Sequence, residues 1–254
     1  MTKEQAWMNA RCGKITASEL SEINSASGRI IDGCVSYIRA KRWERRHGYS
    51  LPVSARTMDI GNENEPMIYE WLKANVGADD VVYSKDPELG EIPFWVPEDA
   101  PYFGASPDAF TFERDTVWEF KTLVGNESTC FFMDEYTPMM DKYARVIKEH
   151  GDQIMGLFIS SPITEKVKLI KYAYQRDDVD LDTDSPLAPW RGIIFEFKRS
   201  DYAVSIDEMK NRIRLFDQMI DAPVNPAEFK DGLWVLKDGK LFHKSPEPKM
   251  EKKK

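Results

Sequence analysis

The spacing of apolar residues changes period once, near residue 77, and this change limits the fold more than any other feature of the chain. Before it the spacing is helical. Ile31, Val35 and Ile38 form the apolar row of a helix expected from about Ile30 to His47, with Gly48 as its stop. Ile60, Asn64, Met67, Ile68, Trp71 and Leu72 share one side of the next, expected from about Gly61 to Val76. Ahead of both, Thr16 and Glu19 have the spacing of a capping box, which puts Ser18 in the first turn of a helix. After residue 77 come short β-branched or aromatic runs at 81–84, 92–96, 108–112 and 117–123, separated by Pro, Gly and Asp. Helical spacing returns over 139–159, with a break expected at Gly151, and strands are expected over 166–174 and 192–198. Ser205 and Glu208 read as a capping box opening a late helix that turns Met209, Ile213, Phe216, Met219 and Ile220 inward. Asp238-Gly239 reads as a hairpin turn. The order implies an α/β (α+β) domain over residues 1–244, helical in its first third, with a polar basic tail over 245–254.

Several classes are excluded. Among the 254 residues no apolar run reaches the length needed to span a bilayer, and residues 1–7 lack the apolar stretch of a secretory signal, so a cytoplasmic protein is expected. Cys12, Cys34 and Cys130 are odd in number and contain no CxxC pair, which argues against a disulfide framework or a zinc ribbon. Asp177, Asp178, Asp180, Asp182 and Asp184 resemble a calcium loop only in composition: counted from Asp178, Thr183 stands where the loop needs Gly and Pro189 where it needs Glu.

The net charge of −8 opposes a nucleic-acid partner, but its distribution does not. Arg29, Arg39, Lys41, Arg42, Arg45, Arg46 and Arg56 face only Asp32 and Glu44 in their segment, so the rest of the chain is markedly acidic. A basic helix over Arg39–Arg46 is therefore compatible with a positive lining for DNA, with a solvated helix face as the other reading.

The chemistry-bearing segment is Gly104-Ala-Ser-Pro-Asp108, a turn near Arg114 and Asp115, then Trp118-Glu119-Phe120-Lys121. Strand alternation sends Glu119 and Lys121 to one face, and Asp108 on the neighbouring strand meets them there. Two carboxylates a few ångströms apart repel, and one lysine neutralises only one of them. A divalent cation is the natural third partner, and oxygen donors without His or Cys select Mg²⁺, or Mn²⁺, over zinc. Such an ion lowers the pKa of bound water and stabilises charge on a phosphoryl oxygen.

Asp, a spacer and ExK form the PD-(D/E)xK nuclease signature. Together with Trp7, Arg11-Cys-Gly-Lys-Ile-Thr-Ala-Ser18, Gly61-Asn-Glu-Asn-Glu65 and Ser106-Pro-Asp108, the chain resembles the lambda-exonuclease-like, or YqaJ-type viral recombinase, branch. The resemblance implies a restriction-endonuclease-like core with a central mixed β-sheet flanked by helices. It implies a metal-dependent 5′ to 3′ exonuclease that resects one strand from a duplex end, leaving 3′ single-stranded DNA for recombination. It also implies a ring-shaped homotrimer, an annealing protein as partner and, for a phage-encoded chain, the bacterial cytoplasm as site of action. By the same resemblance Asp108, Glu119, the Phe120 carbonyl and Glu65 hold metal, and Lys121 positions the attacking water. Arg11, Ser18 and Ser106 then form the pocket for the terminal 5′-phosphate. Ser18 at a helix start and Arg11 as a bidentate donor suit an anion independently. The family's helical glutamine pair is only half kept, since Gln153 is followed by Met155 at the second position.

Two other readings stay open: a different nuclease on the same core, such as an endonuclease or a RecB-like single-strand nuclease, and a non-catalytic DNA-end-binding module. A serine hydrolase is set aside because Asp108 stands where the nucleophile elbow of Gly104-Ala-Ser106 requires Gly.

Overall fold

A five-stranded mixed sheet organises the chain, here described from a computed structural model covering residues 1–24, 30–50, 56–77, 80–173, 185–231, 233–237 and 240–244. Its strands are β2 (Val81–Tyr83), β4 (Ala109–Thr111), β5 (Thr116–Leu123), β6 (Lys166–Ala173) and β7 (Gly192–Lys198), side by side in that order. Every neighbouring pair is antiparallel except β5–β6. That parallel pair requires a crossover, supplied by α5 (Asn126–Met133) and α6 (Met139–Ser160). A separate two-residue parallel ladder joins β1 (Ile15–Thr16) to β3 (Phe103–Gly104), and a hairpin of β8 (Leu233–Lys237) and β9 (Lys240–Lys244) follows at the end.

Period-two alternation splits the apolar residues between two cores. Val117 and Leu123 of β5, Val167 and Leu169 of β6 and Phe195 and Phe197 of β7 face the larger one, under α6 and α7 (Ala203–Asp221). Trp118 and Phe120, with Ile170 and Tyr172, face the smaller one under α4 (Arg56–Val76), where Ile68, Trp71 and Leu72 meet them. β5 is therefore covered on both sides, and truncating a side chain such as Trp118 costs about 3–5 kcal/mol. α3 (Asp32–His47) and the short α2 (Leu20–Ile23) complete the helical layer, and Gly48 ends α3 in the left-handed conformation the sequence suggested.

Several expectations require correction. The first helix is α1 (Lys3–Arg11), which spacing could not reveal because none of its residues is buried; Thr2 and Gln5 cap it reciprocally. Thr16 and Glu19 do form their box, the Thr16 N–H donating to Glu19 Oε2 (3.2 Å), but it opens a 3₁₀ turn over Ala17–Glu19 ahead of α2. α6 does not break at Gly151: a lone helical Gly costs about 1 kcal/mol, outweighed by the burial of Val146, Ile154, Leu157 and Phe158. α7 starts at Ala203, ahead of Ser205, so Ser205 is not its cap. The segment 92–96 forms only an isolated bridge, Trp95 to Ala105, because Pro93 and Pro97 cannot donate to a ladder. The run Asp177–Asp184, the Asp238-Gly239 turn and the 245–254 tail lie outside the described residues.

The basic helix is the largest correction. Arg42 donates to the carbonyls of Met219 (2.6 Å), Ile220 (2.8 Å) and Val224 (2.5 Å), satisfying the open end of α7. Arg45 pairs with Asp217 and Asp221, both at 2.7 Å, and donates to the Gly13 carbonyl. Lys41 is buried between Glu19 and Glu44. Of these α3 cations only Arg39 and Arg46 are exposed, so the helix is stapled to its neighbours and is not a ready DNA lining.

Candidate active site

β4 and β5 place the signature residues. Asp108 directly precedes β4, and its N–H donates to the Trp118 carbonyl (3.1 Å), holding it against β5. Its Oδ2 accepts the Phe120 backbone N–H at 2.6 Å. Glu119 and Lys121 project toward α6, where Lys121 Nζ lies 2.7 Å from Glu119 Oε1. Gln153, on the α6 face turned to the sheet, donates from Nε2 to the same oxygen at 2.6 Å. Met155 packs instead against the larger core. The first member of the expected glutamine pair is therefore the one that reaches the site. Phe120 contributes through its N–H and its buried ring.

Glu65 comes from α4. Its Oε2 accepts from Lys85 Nζ (2.5 Å) and from the Tyr83 hydroxyl (3.3 Å), and its charge is felt at both Asp108 and Lys121. It belongs to the cluster electrostatically but is tied to Lys85. Lys85 and Tyr83 had no signal in sequence, since neither stands in a motif.

Charge balance here is unusual. Burial is the main force holding the Asp108 carboxyl well above the ordinary carboxylate range, followed by the neighbouring charges of Glu119 and Glu65; Lys121 and the Phe120 N–H pull the other way. For Lys121 burial alone would lower the ammonium, but Glu119 and Asp108 outweigh it and the net shift is upward. The carboxylates thus favour the cationic form of Lys121, which suits it to orienting a water or offsetting developing charge. Glu119 Oε2 is buried with no hydrogen-bond partner among the described residues. An orphaned carboxylate oxygen beside a second, poorly compensated carboxyl is a donor pair that fits a hard divalent ion. Among the described residues no three His, Cys, Asp or Glu side chains close into a ready metal cluster, consistent with Glu65 being held by Lys85.

A second polar site lies beside the first. The β1–β3 ladder runs parallel with Thr16 opposite Gly104, so the two segments leave it side by side, with Ser18 and Ser106 each two residues on. A side chain at position 104 would meet the Phe94 ring at 2.4 Å, so only glycine allows this approach. The Trp7 indole N–H donates to Ser106 Oγ (2.7 Å), and the Arg11 guanidinium lies over the Trp7 ring at 4.3 Å. Burial lowers the Arg11 pKa, opposed by Glu19 and Glu44. Arg11, Trp7 and Ser106 are thus linked by contact. Ser18 is exposed and its Oγ lies 3.2 Å from Thr16 Oγ1.

The mixed sheet with its helical crossover is a fold shared with solved exonuclease structures. The alkaline exonuclease LHK-Exo from Laribacter hongkongensis matches this structure with a TM-score of 0.59 at 17% identity, over 89% of this chain and 95% of that one. The same protein in complex with dAMP matches at 0.58 and 18%, over the same shares. A phage-related exonuclease from Haemophilus somnus 129PT matches at 0.57 and 16%, over 82% of this chain and 95% of that one. No protein-family model matches the chain, and no curated protein matches it in sequence, so the likeness is one of fold. It agrees with the resemblance drawn from the sequence blocks. No helix among the described residues is long and apolar enough to cross a membrane.

Proposed function

We propose that the chain is a metal-dependent 5′ to 3′ exonuclease acting on ends of double-stranded DNA. The observation that carries this reading is the buried Glu119, with one oxygen shared by Lys121 and Gln153 and the other orphaned, next to Asp108. Asp108, Glu119, the Phe120 carbonyl and Glu65 would hold Mg²⁺, with Mn²⁺ as a substitute. Such an ion supplies a water acidified for attack and compensation for charge on the phosphoryl oxygens. Gln153 fixes the Glu119 carboxylate. Lys121, paired with Glu119, would orient the attacking water and offset negative charge as the phosphodiester is cleaved.

Arg11, Ser18 and Ser106 take the terminal 5′-phosphate. Ser106 and Asp108 are two residues apart, so their Cα atoms lie within about 7 Å of one another. A phosphate held at Ser106 therefore presents the next phosphodiester, and no distant one, to Asp108. This favours stepwise removal of single nucleotides from a 5′ end. A homotrimeric ring threaded by duplex, handing its 3′ strand to an annealing protein in recombination, completes the reading by resemblance. Any positive lining must then come from outside the α3 staple.

The test is a duplex labelled separately at each 5′ and 3′ terminus, and a covalently closed circle of the same sequence. With Mg²⁺ the 5′ label is released first as mononucleotide, EDTA stops release, and the circle is untouched. Cutting of the circle would favour an endonuclease, and binding without release would favour an end-binding module.

A further inference from the structure

α6 lays two polar grips, one helical turn apart, across the parallel β5–β6 pair. Gln153 holds Glu119 of β5. Four residues earlier Glu149 Oε2 accepts from Lys171 Nζ of β6 at 2.8 Å, and His150 Nε2 lies 2.7 Å from the same nitrogen. The strand register sets Lys171 directly beside Lys121. Lys171 is only 4% exposed, and its ammonium also lies 4.9 Å from the centre of the Phe132 ring of α5. Its buried charge is therefore satisfied entirely by the two crossover helices, which makes its burial tolerable only while α6 keeps this position. Glu149 is fully engaged, with Oε1 taken by Arg145 at 2.8 Å.

We propose that Lys171, gripped by Glu149 and His150, is a positioning residue that fixes α6 over the sheet so that Gln153 meets Glu119. This rests on the nuclease reading above and assigns a role to three residues outside its motifs. His150 has to be an acceptor for this grip. Burial, then the nearby Lys171 and Lys121 ammonium groups, lower its pKa to about 3, which keeps the ring neutral at working pH. Removing Lys171 loosens the turn that carries Gln153.

The experiment measures kcat and KM for nucleotide release from a 5′-phosphorylated linear duplex, with melting temperature in parallel. Wild type, Lys171→Met, Gln153→Ala and the double variant are compared. Lys171→Met is expected to lower kcat about tenfold with KM within about twofold, as for a small misplacement of reacting groups. The double variant is expected to be no slower than Gln153→Ala alone, because both changes act through one contact. Unchanged kcat in Lys171→Met, a loss that follows only the unfolded fraction, or fully additive losses would overturn the proposal. If Lys171→Met does not fold, Glu149→Gln, at a site about one-third exposed, replaces it in the same cycle and is judged by the same criteria. A wild type that releases nothing overturns the underlying reading and this proposal with it. An active wild type with an indifferent Lys171→Met overturns this proposal alone.

Discussion

Asp108→Asn exposes the conflict between stability and metal binding at the site. The asparagine is isosteric, and its oxygen can still accept the Phe120 N–H that Oδ2 now accepts at 2.6 Å. What disappears is a carboxyl whose ionised form is disfavoured first by burial and then by Glu119 and Glu65. Removing a poorly compensated buried charge without leaving a cavity stabilises by about 1–2 kcal/mol, or roughly 2–8 °C in melting temperature for a chain of this size. In EDTA at pH 8 the variant should therefore melt above wild type. Metal reverses the order. At a Mn²⁺ concentration of about 100 Kd, wild type gains about 2.7 kcal/mol by mass action, roughly 5–10 °C, and the variant gains almost nothing. Differential scanning fluorimetry with EDTA and with Mn²⁺ reads both effects on one protein preparation. Equal Mn²⁺-induced shifts in wild type and variant would refute the assignment of Asp108 as a metal-binding group.

Three further outcomes follow from particular contacts. The His150 pKa falls from 6.5 to about 3 on folding, so the folded state binds fewer protons between those values and stability rises with pH across that window, then levels above it. Between pH 8 and pH 5 urea titration should show wild type losing about 2 kcal/mol that His150→Gln does not lose; identical pH dependence in both would contradict a buried neutral imidazole. Arg42→Ala removes two hydrogen bonds to the end of α7 and a third to Val224 beyond it, and should destabilise by about 2–3 kcal/mol, while duplex affinity of the folded protein is unchanged. A salt-dependent loss of DNA affinity would instead restore α3 as a lining. Arg11→Ala should reduce the rate ratio between 5′-phosphorylated and 5′-hydroxyl duplex ends by about tenfold or more, measured by initial nucleotide release; an unchanged ratio would place the phosphate elsewhere.

What sequence made legible was local in origin. Asp108, Glu119 and Lys121 could be brought together because strand alternation and a turn near Arg114 fix their relative directions, and Arg114 does adopt a positive φ of 58° there. The capping residues Thr16 and Glu19 were readable for the same reason, although the helix they open is 3₁₀. α1 was invisible because a helix that buries nothing has no apolar period. The α3 arginines were misread because charge counting finds cations but not their partners, and Asp217, Asp221 and the end of α7 lie more than 170 residues away. The Glu149–His150–Lys171 grip and the Lys85 hold on Glu65 depend on register and helix placement, which no short motif encodes.

The most direct measurement is the single-turnover rate of 5′-end release from a phosphorylated duplex in Mg²⁺, for wild type, Asp108→Asn and Lys121→Ala, each shown to be folded and to bind the duplex. The carboxylate pair and its lysine should each be needed for hydrolysis, so both variants should fall by about a thousandfold or more while still binding DNA. Either variant cleaving at the wild-type rate would contradict the account.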